Sequence, residues 1–340
     1  MRAVDGAFCH HVGASSPTPR GRSLRYTLIV LLGALRAEAA GRPTALSTPE
    51  LKALVLAELG SEELQPGDLG LALWMDARSG LEAVPRVVTE LERRLDARGG
   101  LGPLEGLELG WILTGCATAS AAGANDPRLE ALLLASRERQ LARAETPSRL
   151  FLHHEAGWRA RFPNFATQIY GVLALIEAGR ARDDERCLAS AREVADRLLG
   201  LQRADGGWPW LYDVRRGSVV EPYEVYSVHQ DSMAPMALLA LSDATGERRY
   251  GDAAVRGLAW LWDNELGTQM LDPAAGIVYR SIRRRRPIDR LTLYANTATA
   301  LAGRPVLAAA RGPRELNRTD RPYHLGWVLE AWSGRSLSAS

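Results

Sequence analysis

Three cysteines, Cys9, Cys116 and Cys187, lie far apart in a chain of 340 residues. They offer no CxxC pair for a metal and no disulfide framework, which excludes a small disulfide-stapled domain. Lysine is nearly absent, Lys52 being the single one among 42 basic residues, set against 40 acidic ones for a net charge of +2. That balance gives no general attraction to nucleic acid or to an anionic membrane. Aromatic residues are 6% of the chain, although nine of them are tryptophan. The apolar run Tyr26–Leu35 is far shorter than the ~20 residues of a membrane-spanning helix, so no integral membrane span is expected. Phosphate-binding GxxxxGK[ST] and GxGxxG loops, a GxSxG nucleophile elbow and an EF-hand loop are all missing. What the chain does contain is 46% hydrophobic and 24% charged residues, the composition of a globular protein with a large core.

Residues 1–21, with small residues and prolines, read as a disordered tail, and 22–335 as a single domain. Cys9-His10-His11 is a poor metal site because adjacent residues rarely converge on one ion. Arg20–Arg25 followed by Tyr26–Leu35 and Arg36–Ala40 has the outline of an export signal. Arg36 and Glu38 interrupt that outline, and the pattern recurs later, so the segment reads first as a core helix. A cytoplasmic location is expected, with export as the alternative.

One segment type returns along the chain: a start rich in Gly, aromatic and polar residues, then an apolar helix of Leu and Ala. It appears at Leu24–Arg36, Asp68–Asp76, Glu108–Cys116, Asn164–Leu175 and His229–Leu239, with weaker copies from Tyr294 and from Tyr323. Such helices are apolar nearly all round, as enclosed helices are. Between them run Leu81–Ala97, Pro127–Ala144, Asp184–Gln202 and Arg248–Asn264. Their apolar residues recur every three, four and seven positions, leaving one charged face. Alternation of enclosed and amphipathic helices predicts an all-α fold, an α/α toroid of about six helical hairpins. Two β-hairpins are expected on one rim: Gly207–Tyr212 with Ser218–Tyr226, and Met270-Leu271 with Ile277–Ile282. The arginines Arg283–Arg286 read as a solvated loop, or else as a lure for anions at that rim.

The segment Gln202-Arg-Ala-Asp-Gly206-Gly-Trp208 resembles the QW motif of squalene-cyclase-like and prenyltransferase-like α/α toroids. Its logic is local: glycine permits a tight helix exit, Gln caps backbone groups, and Trp packs on helix ends. Gly206-Gly-Trp-Pro209 is equally similar to a stretch of some pectate-lyase toroids. The general pattern resembles six-hairpin glycosidases and α/α-barrel sugar epimerases, across residues 22–335 in architecture and around 198–282 in motif. The resemblance implies a toroid but not the cyclase chemistry, for the Asp-x-Asp-Asp acid run and the zinc-binding Asp, Cys and His cluster of those families are absent.

Chemistry-bearing residues concentrate in Glu221–Pro235, where a hairpin enters an enclosed helix. His229, Asp231 and Tyr226 are the candidates for proton transfer, since imidazole titrates near neutrality and a carboxylate fixes its tautomer. Glu224 and Gln230 accompany them. Asn164, Gln168 and Tyr170 start another enclosed helix with amides and a phenol suited to sugar hydroxyls. Trp210 and Tyr212 are candidates to stack on a ring, and Arg280 to pair with a carboxylate. Trp74 with Asp76, Glu108 with Trp111, Tyr294 with Asn296, and Tyr323 with His324 stand at corresponding helix starts. His153-His154-Glu155 is not the HExxH zinc signature, and neither a metal nor a cofactor is expected. The reading is a carbohydrate-active lyase, hydrolase or epimerase acting on a small-molecule or glycan substrate, with uronate-containing glycans among the candidates. The alternatives are an isoprenoid-handling protein and a non-catalytic toroid that binds a glycan or a partner protein.

Overall fold

Helices without a polar face must be enclosed on every side, and a closed ring encloses them. The computed structural model describes residues 1–3, 5–13, 16–285, 288–304 and 313–335. In it six segments form an inner ring: α1 (Leu24–Ala39), α3 (Pro66–Ala77), α5 (Gly106–Ala121), α7 (Phe165–Arg182), α9 (Ala234–Thr245) with a preceding π-turn at His229–Met233, and α12 (Pro322–Trp332). Each packs on the next, and α12 closes back on α1. Around them lie α2 (Thr48–Ala57), α4 (Val84–Arg98), α6 (Pro127–Ala144), α8 (Glu185–Leu199) and α10 (Arg248–Ala259). The outer helices bury one stripe: Val84, Val87, Val88, Leu91 and Leu95 on α4, for example. The chain is thus an α/α toroid, as the two classes of helix pattern require.

Local chemistry sets the helix starts. Ser23, Asp126, Asn164 and Asp184 each accept a hydrogen bond from a first-turn amide, and a proline opens α3, α4, α6 and α12. The Gln202-to-Trp208 segment behaves as its sequence suggests. Gln202 Nε2 donates to the carbonyls of Gly206 (2.8 Å) and Ala253 (3.0 Å), and Trp208 is buried against Phe165. Gly206 has φ +86°, and a Cβ there would lie 2.1 Å from the Arg256 carbonyl oxygen.

Ten short strands edge the ring. They are β1 (His11–Gly13), β2 (Ser16–Arg20), β3 (Leu211–Asp213), β4 (Ser218–Glu221), β5 (Val225–Tyr226), β6 (Leu271–Asp272), β7 (Ile277–Val278), β8 (Ser281–Arg284), β9 (Arg314–Asn317) and β10 (Thr319–Asp320). β3–β4 and β6–β7 are the two expected hairpins. β5 and β8 leave those hairpins to pair with each other in a sheet ordered β5-β8-β9.

Three expectations are corrected. Residues 5–13 are not a loose tail: Ala7, Phe8 and Cys9 are buried, and β1 pairs with β10, Val12 opposite Asp320. The partner strand is some 300 residues away, out of reach of any local pattern. The helix carrying Tyr294 and Asn296, α11 (Ile288–Leu301), is not in the inner ring but packs on β4 and β8. Tyr294 is 67% exposed there, while Asn296 donates to Glu221 (3.0 Å). The arginine run is not a solvated loop, for Arg283 and Arg284 belong to β8, and Arg284 forms a buried ion pair with Glu221 (2.5 Å). Arg286 lies outside the described residues.

Candidate functional site

The inner-helix starts converge, because each hairpin of the ring enters the barrel from the same end. They enclose a cavity of about 230 Å³. α1 contributes Arg25 and Tyr26, α5 Trp111, the start of α7 Asn164 and Tyr170, and α12 Tyr323 and Trp327. Trp210, Tyr226, His229 and Arg280 complete the polar and aromatic wall. No Asp or Glu lines it among the described residues.

His229 owes its position to the π-turn, an extra backbone residue that re-aims the side chains at the helix start. The turn is pinned by Gln230, whose Oε1 accepts from the Trp208 amide (3.0 Å) and whose Nε2 donates to the Tyr226 carbonyl (3.0 Å). The imidazole stacks parallel to Trp210, 6.0 Å between centroids, and lies 5.0 Å from the Tyr226 ring and 4.8 Å from Phe165. Its Nδ1 is buried without a hydrogen-bond partner. Burial, reinforced by the charges of Arg280 and His324, pushes its pKa down to about 3, so it is a neutral base at neutral pH.

Two guanidiniums share the cavity with His229. Arg25 is held by Asp68 (2.6 Å) and lies 5.3 Å from the Trp111 ring centre. Arg280 lies 5.1 Å from the Tyr226 ring centre and makes no ion pair with a carboxylate among the described residues. Burial raises the Tyr226 phenol, with Glu224 adding to the rise and Arg280 opposing it. Burial also raises Tyr170 well above the ordinary phenol range, opposed by the nearby indoles of Trp327 and Trp111.

Of the eleven residues proposed from sequence for proton transfer or substrate contact, His229, Tyr226, Asn164, Tyr170, Trp210 and Arg280 share this cavity. The other five do not line it. Gln168 is a buried staple, exchanging two hydrogen bonds with the Phe151 main chain (2.8 Å each). Tyr212 is buried, its hydroxyl donating to the Pro209 carbonyl (2.9 Å). Gln230 serves the turn. Glu224 accepts from Ser281 Oγ (2.6 Å), behind Tyr226. Asp231 does not orient His229 but faces the opposite way, taking His324 Nε2 at 2.7 and 2.8 Å. Positions two apart in a helical turn point in different directions, so proximity in sequence misled here. Arg25, Tyr26, Tyr323 and Trp327 reach the wall from helices remote in the chain. Only the repeat, which places inner-helix starts at one end, signals them.

The Asp231–His324 pair sets a pH dependence. Burial opposes charge on His324, but the Asp231 carboxylate, with Asp320 nearby, outweighs it and raises the pKa above the ordinary 6.5. A raised folded-state value means the contribution is complete below pH 6.5 and is lost as pH rises through the folded pKa. Denaturant unfolding between pH 6 and 9 should show a falling component in the native protein. In an Asp231→Asn/His324→Gln double variant that component should be gone. An unchanged pH profile would refute a charged pair.

A second cavity of about 200 Å³ shares Asn164 and Trp210 with the first and adds His153, Trp158, Arg159 and Tyr294. Beside it Glu105, His153 and His154 bring one ligand atom each within 4.8 Å of one another. Glu155 adjoins the two histidines in sequence. That carboxylate is instead taken by Arg139 (2.6 Å) and Arg143 (3.5 Å).

No family model and no curated protein sequence matches the chain. Solved structures do. A sugar epimerase from a ruminal bacterium superposes with TM-score 0.67 at 10% identity, over 99% of this chain and 94% of that one. An unsaturated glucuronyl hydrolase specific for heparin gives 0.63 at 14%, over 97% and 90%. A D-mannose isomerase gives 0.63 at 14%, with the same coverage. At such identities the likeness is one of fold, the six-hairpin α/α toroid.

Proposed function

We propose that this chain is a carbohydrate-active enzyme that moves a proton on the carbon beside the carboxylate of an acidic sugar, as a lyase or an epimerase. The observation that carries this reading is the meeting, in one aromatic cavity, of a neutral His229 whose Nδ1 has no hydrogen-bond partner with Arg280, a cation that makes no direct ion pair among the described residues. A guanidinium pairs with a carboxylate in bidentate fashion. Pairing withdraws electrons from the adjacent carbon and makes its proton more acidic. His229 takes that proton. The sugar's negative charge in turn favours imidazolium, so binding substrate makes His229 a stronger base than in the free protein. Tyr226 returns a proton to the carbanion in epimerisation, or gives it to the departing oxygen in elimination. Trp210 offers its face to the sugar ring.

The lining disfavours the alternatives. Glycoside hydrolysis in most families needs two carboxyl groups across the bond, and no carboxylate lines the cavity among the described residues. A carbocation chemistry on isoprenoids is opposed by two guanidiniums at the wall. The neighbours in fold act on sugars by name, which supports the choice of substrate class.

The test is a thermal-shift panel of uronates and their neutral counterparts, followed by proton NMR in deuterated solvent. A uronate at about 100 times its dissociation constant should stabilise the protein by about 2.7 kcal/mol, and the neutral sugar should not. Arg280→Ala should abolish the difference. Deuterium should enter at the carbon beside the carboxylate. Stabilisation by neutral sugars that survives Arg280→Ala would replace this reading with neutral-sugar isomerisation, and no response to any sugar would overturn it.

A further inference from the structure

We propose that Glu105, His153 and His154 form a binding site for one divalent transition ion of the zinc class. This stands apart from the proton-transfer reading and rests on other residues. Glu105 is the residue preceding α5, and the two histidines lie in the loop before α7. The Gly106 amide donates to the His153 carbonyl (2.8 Å), which ties the segments together, and the His153 amide donates to Ala160 (3.1 Å).

The His153 ring is aimed. Its Nδ1 sits 2.9 Å from Thr167 Oγ1, on α7, and its Nε2 faces Glu105 Oε1 at 3.9 Å. With Nδ1 donating to the hydroxyl, Nε2 presents its lone pair, the outer-shell arrangement that fixes ligating histidines elsewhere. The His154 ring meets His153 edge-on at 4.4 Å between centroids and makes no hydrogen bond among the described residues. Packing alone does not call for two imidazoles and a carboxylate to converge without hydrogen bonds among them.

Two nitrogens and a carboxylate oxygen suit zinc, cobalt or nickel better than calcium or magnesium, and leave one tetrahedral position for water or a ligand oxygen. Zinc distances near 2.0 to 2.2 Å require the donors to close from 4.8 Å to about 3.4 Å. Glu105 and His154 are both half-buried. The competitor is Arg159, whose Nη2 lies 3.9 Å from Glu105; its side chain is 57% exposed and can swing away. His153 borders the second cavity, so a bound ion would stand at its edge.

The full chain, stripped with a chelator, is titrated with Co²⁺ while its visible absorption is read, then with Zn²⁺ to displace it. One ion per chain is expected. His154→Ala should abolish the absorption and Glu105→Gln should weaken binding at least about tenfold. A His10→Ala/His11→Ala double variant, which removes the other adjacent histidine pair, should leave binding intact. Zn²⁺ should also shield His154 of the unaltered protein from carbethoxylation, a readout independent of any variant. No saturable absorption, binding indifferent to His154→Ala, binding lost with His10 and His11, or no shielding of His154 would each overturn the site.

Discussion

His229→Gln lowers kcat on the responsive uronate by about 10²- to 10⁴-fold, the contribution of a positioned general base, and leaves the melting temperature close to that of the native protein. Glutamine keeps the bulk of the ring and a polar end but cannot take a proton. Binding should survive, because Arg280, Arg25 and the aromatic wall remain. The native pH profile carries a second signature. The free protein's histidine is pushed down to about 3, so the acid limb of kcat/KM lies well below the ordinary histidine value of 6.5. A bound carboxylate raises the imidazole, so the acid limb of kcat sits at higher pH than that of kcat/KM. A His229→Gln variant with native turnover, or a kcat/KM limb at 6.5, would remove His229 from the chemistry.

Gly115→Ala destabilises the protein by roughly 3 kcal/mol or more, because the inner ring closes through glycine. A Cβ at Gly115 on α5 would stand 2.0 Å from the Gly70 carbonyl oxygen on α3. At the closure of the ring, a Cβ at Gly33 on α1 would stand 2.2 Å from the Gly326 carbonyl oxygen on α12. Backbone cannot give way as a flexible side chain can, so the helices must part and the barrel must widen. Gly60→Ala, which meets nothing within 4 Å, is the control and should change stability by no more than about 0.5 kcal/mol. Equal melting curves for the two variants would show that the helices do not approach so closely. Gly33→Ala should also loosen ligand binding, because α1 and α12 carry Arg25, Tyr26, Tyr323 and Trp327 to the cavity.

The approach through glycine explains which features were legible beforehand. Apolar content all round a helix, or on one stripe, is a local property, and it separated inner from outer helices correctly for α4, α6, α8 and α10. It placed His229, Asn164 and Tyr170 at inner-helix starts, and put Trp210 and Tyr226 in the hairpin that leads into one of them. It failed for the helix of Tyr294, whose Ala and Thr content resembles an inner helix although its faces meet a β-hairpin. It also missed α2, a short helix whose Thr48, Leu51 and Val55 form too brief a stripe to stand out.

Sequence by itself determined the alternation of enclosed and amphipathic helices, the two rim hairpins and the segment from which His229 projects. These follow from hydrophobic period, capping and turn chemistry, which act over a few residues. Tertiary structure decided direction and partnership. It turned Asp231 toward His324 and left His229 without it, because side chains two positions apart in a helical turn diverge. It joined β1 to β10 across almost the whole chain, and it brought Arg25 into the cavity with His229 and Glu105 to face His153. Those pairings depend on which helices become neighbours when the ring closes, and no local pattern encodes a distance of that kind.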